Sequence, residues 1–267
     1  MRRPFLLCFL TLAISAVPTL QAQTTEMVQI SPPTIRRAEP PAPNASVAEL
    51  EKRGDELRAE KNFLDALDYY RAALAKQPGQ AVIYNKAGIT ELMMQRYKEA
   101  GKDFSHAIHF DHSYANAVNN LGVIDYEAKK YGKAIQQYEK ALHLQPDTAS
   151  FYSNMGAAYF GKKEFEQASE AYSKALELDP DILERNSHNG VSAQLPSPDD
   201  RARYDYIVAK LCAVRGESDR ALQHLHRAME EGYKGIGEVY KDPGFAELRK
   251  DSRFTELMAA RPLGIPE

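Results

Sequence analysis

The chain has 267 residues, 43% of them hydrophobic and 27% charged, with a formal net charge of −3 and a sequence pI near 6.2. Such a composition suits a soluble globular protein of one large domain or two small ones. It lacks the basic excess that a nucleic-acid binder needs to neutralise phosphates, so no nucleic-acid partner is expected.

Residues 1–22 read as a signal peptide: the positive start "MRR", the apolar run "FLLCFLTLAISAV" and a small-residue cleavage site after Ala22. The run is about 13 residues long, short of the roughly 20 that span a membrane, so cleavage is expected rather than retention as a membrane anchor. The expected destination is the bacterial periplasm or the exterior, with no membrane span left after cleavage. Cys212 is then the single cysteine; it can form no internal disulfide and is expected to be buried as a small hydrophobe. Residues 23–46 contain Pro32, Pro33, Pro40, Pro41 and Pro43, which rule out a helix and predict a disordered, extended linker.

From Val47 a repeat sets in. Gly54, Gly88, Gly122 and Gly156 are spaced by 34 residues, as are Ala66, Ala100, Ala134 and Ala168. The same spacing separates Tyr70, Phe104, Tyr138 and Tyr172, and then Ala73, Ala107, Ala141 and Ala175. Pro78, Pro146 and Pro180 close three of the four units, while His112 stands in the closing position of the second and is expected to soften that turn. Ala134, Tyr138 and Ala141 fall at i, i+4 and i+7, one stripe of a helix, and Val118, Leu121, Gly122 and Asp125 form a stripe on the helix before it. Small residues on facing stripes let helix axes approach, and the aromatics fill the space between units. Glu91 and Asp125 occupy a column that holds Leu57 and Tyr159 in the outer units; they are expected to reach solvent along their stems or to accept hydrogen bonds, since an unpaired buried carboxylate is costly.

A 34-residue period carrying these residues resembles the tetratricopeptide repeat family. The resemblance spans four units, 47–80, 81–114, 115–148 and 149–182, and implies an all-α fold: a right-handed α-solenoid of stacked antiparallel helix hairpins. The polar stretch 183–201 then breaks the period and is read as a loop. Residues 202–267 resume an Ala221, Leu225, Ala228 stripe behind Gly216, read as a degenerate fifth hairpin. Two short amphipathic helices opened by Asp242-Pro243 and Asp251-Ser252 follow, placing Phe245, Leu248, Phe254 and Leu257 as a cap over the open end.

The resemblance also implies a concave groove lined by the first helix of each unit. It places Glu51 and Asp55 there from unit one, and Asn85, Ile89 and Leu92 from unit two, with Ala48, Arg58 and Val82 beside them. Unit three contributes Asn116, Asn119, Val123 and Tyr126, and unit four Ser153 and Phe160, with Ser150 and Ala157; Asn120 and Asn154 flank this row. Carboxamides both donate and accept, so spaced asparagines can satisfy the main chain of an extended peptide while Ile89, Leu92, Val123, Tyr126 and Phe160 receive its apolar side chains. Asn119 is the preferred contact, and Glu51 and Asp55 favour a basic residue in the ligand. Of Glu51, Asp55, Lys86, Asn116 and Asn120, Lys86 alone is cationic, so the clamp for a C-terminal carboxylate found in chaperone-binding members is not expected.

His106, His109 and His112 are spaced by three and read as outer-helix decoration, so no metal or cofactor is expected. No nucleophile motif, zinc-protease motif or phosphate-binding glycine loop occurs, and no enzymatic activity is expected. The sequence therefore points to an exported interaction module, an adaptor or scaffold for a protein or peptide. The alternative is a structural, oligomerising component of the envelope.

Overall fold

The computed structural model describes residues 38–184, 195 and 197–260. The expected signal peptide, most of the linker and most of the polar loop lie outside the described residues. Eight helices follow in antiparallel pairs: α1 (Val47–Ala59) with α2 (Phe63–Lys76), α3 (Ala81–Met93) with α4 (Tyr97–Phe110), α5 (Ala115–Glu127) with α6 (Tyr131–Leu144), and α7 (Ala149–Gly161) with α8 (Phe165–Leu178). Each pair packs against the next, giving an all-α solenoid, and no strand occurs among the described residues. The first helix of every unit has 13 residues and the second 14, so the sequence period becomes a structural one.

The turn within each hairpin shows how this is enforced. Lys61, Gln95, Lys129 and Lys163, again 34 apart, adopt φ values of 63°, 59°, 58° and 66°. This left-handed residue lets the amide of the next one reach back five positions, as Asn62 does to the Leu57 carbonyl at 2.8 Å and Lys130 to Asp125 at 2.8 Å. α9 (Pro198–Val214) and α10 (Ser218–Glu230) repeat the arrangement: Gly216 has φ 77° and the Glu217 amide bonds the Cys212 carbonyl at 2.9 Å. The fifth hairpin thus shares the turn of the other four. α9 starts four residues before the end of the expected loop because Ser197 accepts the Asp200 amide, Pro198 suits the first helical turn, and Asp199 and Asp200 complement its dipole.

Inside each unit the glycine marks a contact with no space for a side chain. A Cβ on Gly122 would lie 2.6 Å from the Tyr138 ring, and Gly54, Gly88 and Gly156 meet Tyr70, Phe104 and Tyr172 in the same way. Between units, Arg71 of α2 grips Asp103 of α4 with two bonds of 2.7 and 2.6 Å. Glu91 is buried rather than reaching solvent; Arg96 lies 3.4 Å and Arg71 4.0 Å from its carboxylate. Burial raises the Glu91 pKa, and the two guanidiniums offset only part of that effect. With His112 in place of proline the second turn keeps the geometry of the others. Asp111 ends α4 at φ −138°, against −137° for Gln77 and −142° for Gln145, and its carboxylate accepts from the Ser113 amide at 2.9 Å.

Both ends of the array are covered. At the C-terminal end Phe245, Leu248 and Phe254 are buried against α9 and α10. The second cap segment, α11 (Ser252–Ala259), is an α-helix, but Pro243–Phe245 forms a single 3₁₀ turn. Arg249 fastens the intervening chain by donating to the Val239 and Asp242 carbonyls at 2.7 and 2.8 Å. Cys212 is buried here, and burial pushes its thiol up to about 11. At the N-terminal end the structure corrects the disordered linker over its last residues. The Ala38 amide donates to Asp65 at 3.1 Å, the Tyr69 hydroxyl to the Glu39 carbonyl at 3.1 Å, and Lys76 to the Pro43 carbonyl at 2.7 Å. This strap runs along the outside of α2 in the same direction as the helix.

Candidate functional site

The odd-numbered helices form the inner layer: α1 approaches α3, α3 approaches α5, and α5 approaches α7, each besides its own hairpin partner. Polar side chains on this layer mostly face one another. Lys86 of α3 reaches back to α1, with its Nζ 2.6 Å from both Glu51 and Asp55. Asp55 also accepts the Tyr70 hydroxyl at 2.7 Å. Burial opposes the Lys86 charge, but hydrogen bonds to Asp55 and Glu51 outweigh it and hold the ammonium above the usual lysine range. The structure corrects the role expected of Glu51 and Asp55: their counter-cation comes from within the chain.

The asparagines are corrected likewise. Asn154 donates to Asn119 Oδ1 at 2.9 Å, Asn119 to Asn120 Oδ1 at 3.2 Å, and Asn120 to Asn85 Oδ1 at 2.9 Å. These four carboxamides make a chain through three units, and all four are buried, Asn119 with 2% exposure. Asn119 is therefore no ready peptide contact, because both ends of its amide are engaged. Tyr126, Phe160 and Val123 are buried too. The Tyr126 ring lies 5.4 Å from that of Tyr131, and Phe160 5.2 Å from Phe165 and 6.0 Å from Tyr204. They pack units together and offer no open apolar face to a ligand.

Of the expected groove residues, Asn116 is exposed, and Ile89, Leu92 and Ser153 are half-buried. The surface that stays open lies on α3. Val82 and Met93 are 44% and 43% exposed, and with Lys86 and Ile89 they fall at i, i+4, i+7 and i+11, a single helical stripe. Met93 was not among the expected site residues, although that spacing is written in the sequence. The His106 ring packs 5.0 Å from that of Tyr84. Among the described residues no group of His, Cys, Asp and Glu is placed to hold a metal, and no helix is long and apolar enough to cross a membrane. His224 is buried in the fifth hairpin, with Asp205 2.7 Å from Nδ1 and Arg227 and Glu184 beside the ring.

Three family models match the chain: a tetratricopeptide repeat model over residues 51–116, a TPR repeat model over 124–163 and a second tetratricopeptide repeat model over 149–182. No curated protein matches the sequence. Among solved structures, pilF of Pseudomonas aeruginosa is similar with 20% identity and a TM-score of 0.53, covering 80% of this chain and 97% of its own. MamA from residue 41 to its end, from Desulfovibrio magneticus RS-1, is similar with 18% identity and a TM-score of 0.50, covering 71% and 97%. At these identities the likeness is one of fold.

Proposed function

The chain belongs to the tetratricopeptide repeat family, and from that premise we propose that it is an exported, non-catalytic interaction module whose inner helix layer docks an extended segment of a partner protein. The observation that carries this reading is the α3 stripe, where Val82, Ile89 and Met93 leave apolar surface open amid a layer whose polar groups are already satisfied. Apolar side chains exposed in a row on a concave wall are what a docked segment covers. The exposed Asn116 of α5 supplies a polar contact beside the stripe. Because the asparagine chain and the Lys86 bridge tie neighbouring units, the wall is pre-organised and loses little entropy on binding. The reading as an exported protein rests on the first 22 residues.

The test is cross-linking and recovery of partners from envelope extract with the Val82→Glu/Met93→Glu variant. Both side chains are exposed, so the variant is expected to melt with the parent while losing most of its partner recovery. Undiminished recovery by a folded variant would remove the α3 wall as the docking site. Export is checked separately, by fractionating cells and sequencing the N-terminus of the mature protein.

A further inference from the structure

At each turn from the first helix of a unit to the second, three columns of the 34-residue register meet. The first holds Lys61, Gln95, Lys129 and Lys163; the second Asn62, Arg96, Lys130 and Glu164; the third Asp65, Glu99, Lys133 and Gln167. Unit three is the one with lysine in all three. At the neighbouring turns the charges are matched: Arg96 lies 3.4 Å from Glu91, Lys162 2.6 Å from Glu164, and Lys163 pairs with Asp200. Lys129, Lys130 and Lys133 are exposed and have no ion-pair partner among the described residues.

These three lysines do not stand on a featureless edge. With Lys162 from the next turn, Tyr131 and Gln136 they line a shallow depression of about 450 Å³. Its Tyr131 side is fixed, because that ring is packed on Tyr126 and lies where a Cβ on Gly161 would come within 2.7 Å of it. Three unpaired ammonium groups gathered at one turn, with Lys162 already balanced by Glu164, make a concentrated positive field on a chain whose net charge is −3.

We infer that this depression docks an acidic segment of a partner protein, at a surface distinct from the α3 wall. Several carboxylates along one strand can meet several lysines at once, which a single small anion cannot. A broad anionic surface fits poorly, because exposed Glu139 of α6 and Glu166 and Glu170 of α8 lie on the adjoining outer faces and would oppose it. Exposed ion pairs are individually weak, so the interaction depends on their number and weakens as salt screens them.

The experiment is calorimetric titration of the full chain at low salt with a blocked hexaglutamate peptide. Inorganic phosphate and phosphatidylglycerol vesicles are titrated in parallel. Binding of the peptide is expected, weakened tenfold or more by Lys129→Gln/Lys130→Gln/Lys133→Gln and strongly reduced by added salt. Lys98→Gln/Lys102→Gln, which removes charge from α4, and the α3 variant Val82→Glu/Met93→Glu are expected to leave the affinity within twofold. Melting curves verify that each variant is folded. Absence of peptide binding, equal binding by the triple variant, or equal weakening by the α4 variant would overturn the assignment. So would phosphate displacing the peptide at equal concentration, or lysine-dependent binding of vesicles without binding of peptide.

Discussion

Asn154 and Asn119 lie 35 positions apart and share a hydrogen bond of 2.9 Å, and Asn120 and Asn85 share another of 2.9 Å at the same separation. The pairing runs one residue beyond the repeat, on a diagonal from each inner helix to the one before it. Substituting Asn119 by Ala removes the acceptor of the Asn154 bond and the donor of the Asn120 bond in a buried setting. The expected loss is about 1–3 kcal/mol of stability. Asn116→Ala, at an exposed position, is expected to change stability by less than about 0.5 kcal/mol. Urea denaturation measures both; equal effects would deny the carboxamide chain a structural role.

The aromatic column gives a second contrast. The Tyr70 hydroxyl donates to Asp55, whereas the buried Tyr138 and Tyr172 hydroxyls have no partner among the described residues. Phe104 fills the same place in unit two without a hydroxyl. Tyr138→Phe is therefore expected to be neutral or to stabilise by up to about 1 kcal/mol, and Tyr70→Phe to destabilise by about 1 kcal/mol. The difference in melting temperature between the two variants checks this, and the opposite ranking would refute it.

Gln95 holds a left-handed conformation at φ 59° on an exposed turn. Glycine reaches that region without the steric penalty of a Cβ. Gln95→Gly is expected to raise stability by about 1 kcal/mol, as glycine does at such helix ends. Calorimetry that finds the variant less stable would show that the side chain contributes more than the strain removes.

Acid is expected to loosen the start of α9 only at low pH. Burial raises the pKa of Asp200, but hydrogen bonds from Lys163 and Ser197 outweigh it, so its carboxyl sits below the usual range. A depressed carboxyl contributes stability that is complete above the unfolded pKa, near 3.9, and is lost as pH falls through the lower folded value. Hydrogen exchange at the start of α9 is expected to be unchanged between pH 7 and 5 on correction for intrinsic rates, and to rise below about pH 4. Asp200→Asn should flatten that rise. An unaltered acid profile in the variant would assign the effect to another group.

The solenoid was legible because its logic is periodic. A glycine against an aromatic ring and a column of buried alanines recur at 34 residues, as stacked hairpins of one design require. The inner row of residues was legible for the same reason. Whether each side chain on it faced a ligand or a neighbour was not, because a polar residue on a helix face reads as open until its partner is known. Asn119, Glu51 and Asp55 all found partners one repeat away, at separations that shift by a residue or more from the period. The strap was hidden for a different reason. Its contacts use the backbone of Ala38, Glu39 and Pro43, and backbone groups leave no trace in side-chain pattern.

That strap also closes the first hairpin at the end opposite its turn. Its bonds to Asp65, Tyr69 and Lys76 are spread along α2 in step with the helix. The chain entering α1 is thereby held to the outer helix of its own unit, so α1 is tied to α2 at its N-terminal end as well as through the turn after Ala59.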